Sequence, residues 1–274
     1  MAKILSILAV EEFKQLTDLL KALEKLPSRY IYRGHSCYDW ELQSSLERVL
    51  GKNYKSKAKE YEEFALKFFK RRFHLHDNLK AFTPTSKLEW LSIMQHYGFR
   101  TRMLDFTYSP YVALYFALEN MFDPNIEKFA ICAIDEEGIL KQSLKYLKEK
   151  DKSITTNYEK ITEDRNVLFE KIDVMSPEVL WITEPASLNP RLEMQQGCFL
   201  FSGKSGKSIE NLFEKDLYNS VKNYLFIAPC SKPHEILEIY ELLKRMNIDG
   251  RTIYGGLEGL ARSSNLEMYV KRNL

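Results

Sequence analysis

The sequence predicts an α+β domain: a mixed or mostly antiparallel sheet of about five to seven short strands, helices packed on it, and a helical N-terminal portion. Three observations lead there. Aromatic and β-branched runs such as SRYIYR, KFAICAI, VLWITEP and NYLFIAP have the length and punctuation of strands. Between them lie stretches with helical periodicity and explicit start signals. With 274 residues, 45% hydrophobic and 28% charged, the chain has the balance of a globular domain with a core of its own.

In chain order, residues 8–26 carry Phe13, Leu16, Leu20 and Leu23 on one helical face and stop before Pro27, so residues 1–27 read as a helical appendage. Ser28 to Arg33 reads as a buried strand that Gly34 ends. Arg33 then sits at an interior strand end, where a guanidinium is costly unless it meets a carboxylate or a ligand. Its planar fork suits a carboxylate such as Asp105 or Glu193, or a phosphate. A polar and aromatic loop follows (His35, Ser36, Tyr38, Asp39, Trp40), then a short helix over 42–50 and a long one over 57–79, with Tyr61, Phe64, Phe68 and Phe73 at helical spacing. Within KRRFHLH, Arg71, Arg72, His74 and His76 form either a phosphate-binding ridge or a solvated face. His74 and His76, two apart, fall on different helix faces and do not make a metal site.

The stretch 88–118 concentrates the most signals. Ser86 and Glu89 have capping-box spacing, Leu88 and Leu91 follow with Met94 or Gln95, and Gly98 closes the helix in a left-handed conformation. Residues 99–106 pack Arg100, Arg102 and Asp105 among apolar residues and read as a buried connector. Ser109-Pro110 is a cap followed by a first-turn proline, and YVALYFALENMF is apolar nearly all round, which places that helix in the interior. Arg102 and Asp105 pair with each other or with backbone. Either this pair pins the two helices together, or Arg100, Arg102, His96 and Thr107 line a cleft at a helix N-terminus that favours an anion.

Further on, 128–134 reads as a strand, 140–150 as an exposed helix and 151–165 as a long mobile loop. VLWITEP, RLEMQQGCFLFSG and NYLFIAP read as three strands, and residues 235–246 as a last helix before Asn247 and Gly250, with 263–274 a tail. GKSGKS at 203–208 lacks the glycine that a phosphate-binding loop requires. Forty basic against thirty-eight acidic residues leave a net charge of +2, so no duplex DNA partner is expected. No run reaches membrane-spanning length, and the start has no cleavable leader, so no membrane partner and a cytoplasmic location are expected. Cys37, Cys132, Cys198 and Cys230 are scattered, which suggests free thiols and no metal.

QHYGFRTRMLDFTYSPYVALYFA resembles the core motif of the FRG domain, a bacterial and phage family named for a Phe-Arg-Gly tripeptide, present here as Tyr32-Arg33-Gly34. WELQSSLER, RLEMQQGCF and GLEGLAR extend the resemblance to residues 28–262. More distantly the order of motifs is similar to that of ADP-ribosyltransferases of the arginine-serine-glutamate type, which implies that fold, NAD as substrate and no metal. By that resemblance Arg33 holds the pyrophosphate, Thr107 and Ser109 support the nicotinamide ribose site, and Glu193 on a late strand holds the ribose hydroxyl and stabilises the developing oxocarbenium ion, with Tyr32, Gly34, Arg102, Asp105, Gln195 and Gln196 also expected around the cofactor. The implied activity is that of a transferase or NAD glycohydrolase, a bacterial toxin or phage-defence component, with its acceptor open. The sequence departs from that pattern in having Asp-Phe-Thr-Tyr-Ser in the second motif, and Gln195 or Gln196 where a Glu/Gln-x-Glu triplet ends. That departure leaves binding without transfer, by a module that holds a nucleotide or other anion through Arg33, Arg100 and Arg102. A third reading is an RNA-directed nuclease with His96 as acid or base.

Overall fold

The computed structural model describes residues 3–76, 83–120, 123, 125–230 and 233–273. A seven-stranded mixed sheet in a single domain has the order β1-β7-β4-β2-β3-β6-β5. Its strands are β1 (Ala9–Glu12), β2 (Tyr30–His35), β3 (Leu104–Thr107), β4 (Lys128–Asp135), β5 (Leu180–Thr183), β6 (Gly197–Ser202) and β7 (Tyr224–Pro229). Only β1 and β7 run parallel among the paired strands; the other pairs are antiparallel.

Side chains alternate across the sheet and split the core in two. On one face Ile31, Cys132, Ile134 and Leu104 pack under α1 (Ile4–Ile7), α4 (Tyr54–Phe73), α5 (Lys87–His96), α7 (Glu136–Lys150), α8 (Tyr158–Glu163), α9 (Phe169–Met175) and α11 (Ile209–Phe213). On the other, Tyr30, Tyr32, Ile131 and Ala133 pack under α2 (Leu16–Lys25), α6 (Pro110–Leu118), α12 (Pro233–Arg245), α13 (Gly250–Tyr254) and α14 (Gly256–Asn273). Of the two remaining short helices, α3 (Ser45–Leu50) packs on α4, and α10 (Pro190–Met194) packs on β6 and α13.

The helix signals of the central stretch are realised as read. Ser86 and Glu89 form a reciprocal capping box, Gly98 has φ +83°, and Ser109 Oγ accepts from Val112 N ahead of Pro110. Gly34 has a different role from the one expected. It lies within β2, and a Cβ there would sit 2.0 Å from Ala113 O and 2.6 Å from Ala117 N, so α6 rests directly on the strand.

Several expectations are corrected. Residues 9–12 form an edge strand on β7 rather than part of one helix, so the N-terminal stretch joins the sheet. Part of the 99–106 connector is strand β3. Of the expected aromatics of helix α4, Phe73 is buried and Tyr61 half-buried, but Phe64 and Phe68 are exposed; its inward stripe is Ala58, Glu62, Ala65, Leu66 and Phe73. The expected end of that helix, at residue 79, lies outside the described residues, as do Met121 and Phe122 of the expected apolar helix. Arg71, Arg72, His74 and His76 are solvated. Helix α7 is amphipathic rather than exposed, burying Ile139, Leu140, Leu144 and Leu147. The expected loop 151–165 contains α8, and α14 occupies most of the expected tail. Finally, the segment RLEM belongs to helix α10 rather than to a strand, because Asn189 caps it by accepting from Leu192 N and Pro190 starts it.

Candidate functional site

The site arises where β2 and β3 part. Tyr32 and Thr107 are their one register pair, and at the next residue Arg33 Nη1 donates to Asp105 O at 2.7 Å, a side chain meeting the backbone of the neighbouring strand. A cavity of about 270 Å³ opens there. Tyr32, Arg33, Gly34, Asp105, Phe106 and Thr107 line it from the strands, Ser92, Gln95 and His96 from the end of α5, and Phe116, Glu119 and Asn120 from the end of α6. Asn189, Arg191, Leu192 and Gln195 of α10 and its caps close it, with Trp40 and Ser36 from the loop after β2.

Its polar groups are held in fixed places. Asp105 Oδ1 accepts from Gln95 Nε2 at 2.7 Å, and Gln95 in turn accepts from the Thr101 hydroxyl. Thr107 Oγ1 donates to Gln195 O at 2.7 Å and accepts from Ser109 N at 3.0 Å, while Gln195 Nε2 donates to Ile253 O. Behind Arg33, its Nε donates to His35 Nε2 at 3.2 Å, which requires an unprotonated Nε2. Burial first, then the charges of Arg33 and Arg48, push the His35 pKa down to about 3, so this imidazole is neutral near pH 7. His96 is half-buried, its Nδ1 has no hydrogen-bond partner among the described residues, and burial with the nearby Arg191 lowers its pKa.

Glu119 is the carboxylate of the α6 wall. Tyr254 Oη donates to it at 2.9 Å and Arg262 Nη1 pairs with it at 2.5 Å. The guanidinium groups of Arg262 and Arg191 lie 3.9 and 4.8 Å from the centroid of the Tyr254 ring. The C-terminal helices thereby fix one wall of the cavity.

Of the site residues expected from sequence, Tyr32, Arg33, Gly34, His96, Asp105, Thr107 and Gln195 converge on this cavity. Ser109 does not line it and instead caps α6. Arg102 is turned away. It is fully buried on the opposite side, with Nε 3.1 Å from Glu62 and its Nη2 on Asp173, while Lys87 bridges both carboxylates at 2.8 Å; Asp105 is not its partner. Arg100 is exposed and outside the lining. Glu193 and Gln196 are also exposed and outside it, because the helix turn of α10 sends Arg191 and Leu192 inward and Glu193 out; Gln196 takes a left-handed φ of +47° before β6. Sequence reasoning missed Glu119, Asn120, Asn189 and the roles of Tyr254 and Arg262. A signal existed for two of these: Glu119 is the first charge after the apolar run PYVALYFAL, and Arg262 closes the GLEGLAR block.

Residues 28–125 match the family model of the FRG domain. The FRG match spans β2 through α6, and so contains Arg33, His96, Asp105, Thr107 and Glu119, while Arg191, Gln195, Tyr254 and Arg262 come from the chain beyond it. The Tyr-Arg-Gly and DFTYSPYVALYFA blocks lie within the match; RLEMQQGCF and GLEGLAR lie outside it. No curated protein and no solved structure matched the chain. Among the described residues no group of three or more His, Cys, Asp or Glu has a metal-holding arrangement, and no helix is long and apolar enough to cross a membrane.

Proposed function

We propose that the cavity beside the Tyr32-Arg33-Gly34 tripeptide binds an anionic small molecule of the nucleotide class. The observation that carries this is that Arg33 and Arg191 both face one cavity and, among the described residues, neither has a carboxylate within ion-pair distance, whereas Arg102, Arg165, Arg251 and Arg262 do. A guanidinium kept at a cavity wall without a counterion is suited to a phosphate. Trp40 and Phe116 supply aromatic faces for a base, and Asn120, Asn189 and the fixed Glu119 carboxylate supply partners for ribose hydroxyls.

A second reading is favoured by Glu119. With NAD as the ligand, a carboxylate anchored at two points is suited to stabilise positive charge developing at a sugar carbon, a role that exposed Glu193 cannot fill from where it stands. The test is calorimetric titration with AMP, ADP and NAD, together with chromatography for released nicotinamide. At least one nucleotide should bind wild type and bind Arg33→Ala at least tenfold more weakly; no binding by any of them defeats the reading. Nicotinamide release lost in Glu119→Gln but kept in Glu193→Gln supports turnover, and its absence in wild type leaves a binding module.

A further inference from the structure

A second hollow shares a wall with the cavity. It lies between the end of α6 and α14, has a volume of about 470 Å³, and is lined by Glu119 and Asn120, which line the cavity as well. The Asn120 side chain is held at this boundary by donating Nδ2 to Ser36 Oγ at 3.2 Å, and its Oδ1 has no partner among the described residues. Tyr115 of α6 forms part of the lining and is 2% exposed, yet among the described residues its hydroxyl makes no hydrogen bond. The equally buried Tyr30 and Tyr218 have theirs, at 2.9 and 2.7 Å. A buried hydroxyl left without a partner is costly, and the hollow is where one can reach it.

We propose that this hollow takes the second nucleoside of a dinucleotide whose phosphates and first nucleoside lie in the cavity. The inference rests on the nucleotide reading given above. Charge divides the two spaces. The cavity has Arg33 and Arg191 without carboxylate partners among the described residues, whereas Arg262 of the hollow is engaged by Glu119 at 2.5 Å and by Glu258 at 3.0 Å. Asp123, also in the lining, has no ion pair among the described residues, so another phosphate is disfavoured there. What the hollow offers is neutral hydrogen-bonding chemistry and an aromatic wall: the Tyr115 hydroxyl, the Asn120 and Asn265 amides, and the ring of Tyr269. Those groups suit sugar hydroxyls and the edge and face of a base. Glu119 stands between the two spaces with its charge balanced by Arg262, so it does not bar a pyrophosphate. The cavity alone, about 270 Å³, falls below the roughly 300–1,000 Å³ usual for ligand sites, and a ligand that continues past Glu119 gains the room it lacks.

The experiment is calorimetric titration with ADP and with diadenosine pyrophosphate, in which two adenosines flank the same pyrophosphate. Wild type, Arg33→Ala, Tyr115→Phe and Asn265→Trp are compared, each checked for an unchanged melting temperature. Diadenosine pyrophosphate should bind wild type at least tenfold more tightly than ADP, although it carries less negative charge. Asn265→Trp, which fills the hollow from the exposed side of α14, should remove that advantage and leave ADP affinity as it was; Tyr115→Phe should reduce it at least threefold. Equal affinity of the two ligands for wild type overturns the proposal, as does an advantage that survives Asn265→Trp. If ADP binds through Arg33 and the second adenosine adds nothing, only the hollow is lost from the site; if ADP binding ignores Arg33, the nucleotide reading fails with it.

Discussion

Two arginines, Arg102 of the central stretch and Arg33 of the Tyr-Arg-Gly tripeptide, have opposite surroundings. Arg102 is fully buried and neutralised in place by Glu62 and Asp173, with Lys87 joining the two carboxylates, so helices α4, α5 and α9 are clasped around one charge network. Arg33 is half-buried at an opening, hydrogen-bonded to a backbone carbonyl and to neutral His35, with no carboxylate in ion-pair range among the described residues. The first arrangement is closed, since every charge has its partner and removal of one strands the others. The second is open: among the described residues no carboxylate neutralises its charge. Of two such arginines, the one without a counterion is the better guide to a ligand.

The largest expected effect breaks the closed network. Arg102→Met leaves Glu62 and Asp173 buried around Lys87 alone and should cost about 3–5 kcal/mol of stability, read by urea unfolding, with nucleotide affinity of the folded fraction unchanged. Equal loss in Arg33→Ala would remove the contrast.

Next comes acid stability. The folded His35 pKa, about 3, lies below the ordinary 6.5, so the unfolded chain takes up the proton first. Its contribution is complete above about pH 6.5 and is lost as pH falls toward 3, at roughly 1.4 kcal/mol per unit. Glu136 runs the other way. Burial lifts its pKa to about 7 despite Arg165 and Tyr108, so its contribution is complete below the ordinary 4.5 and is lost as pH rises to 7. Between pH 7 and 5, unfolding of His35→Asn should therefore show less acid destabilisation than wild type; identical slopes would mean that His35 is not held neutral.

Gly34→Ala should cost about 1–3 kcal/mol or more, since its Cβ meets backbone atoms of Ala113 and Ala117 that cannot step aside, and should weaken binding as β2 shifts. A melting temperature equal to wild type would show that α6 yields. Arg33→Ala should change stability by less than about 1 kcal/mol yet weaken nucleotide binding at least tenfold, near 1.4 kcal/mol, in the same calorimetric titration. Glu193→Gln should change neither, and a loss of binding there would return α10 to the site.

Local chemistry was legible wherever one residue and its near neighbours decide the outcome. The Ser86–Glu89 box, the left-handed Gly98 and the Ser109-Pro110 start depend on backbone groups within a few residues. The strands β2, β4, β5 and β7 were readable because apolar β-branched runs have no other good use. Strand β1 was not, since four exposed residues carry no pattern and are ordered only by pairing with β7. RLEM was misread as strand because its cap, Asn189, lies just before the stretch that drew attention.

By itself, then, the sequence determined the α+β class and the starts of α5 and α6, because caps and periodicity act over short stretches. Only the tertiary structure decided which charges are spent and which are left open. Arg102 meets Glu62 and Asp173 from helices far away in the chain, and Glu119 is fixed by Tyr254 and Arg262 from its C-terminal end. Pairing between distant side chains depends on how helices cross on the sheet, and no local pattern encodes that.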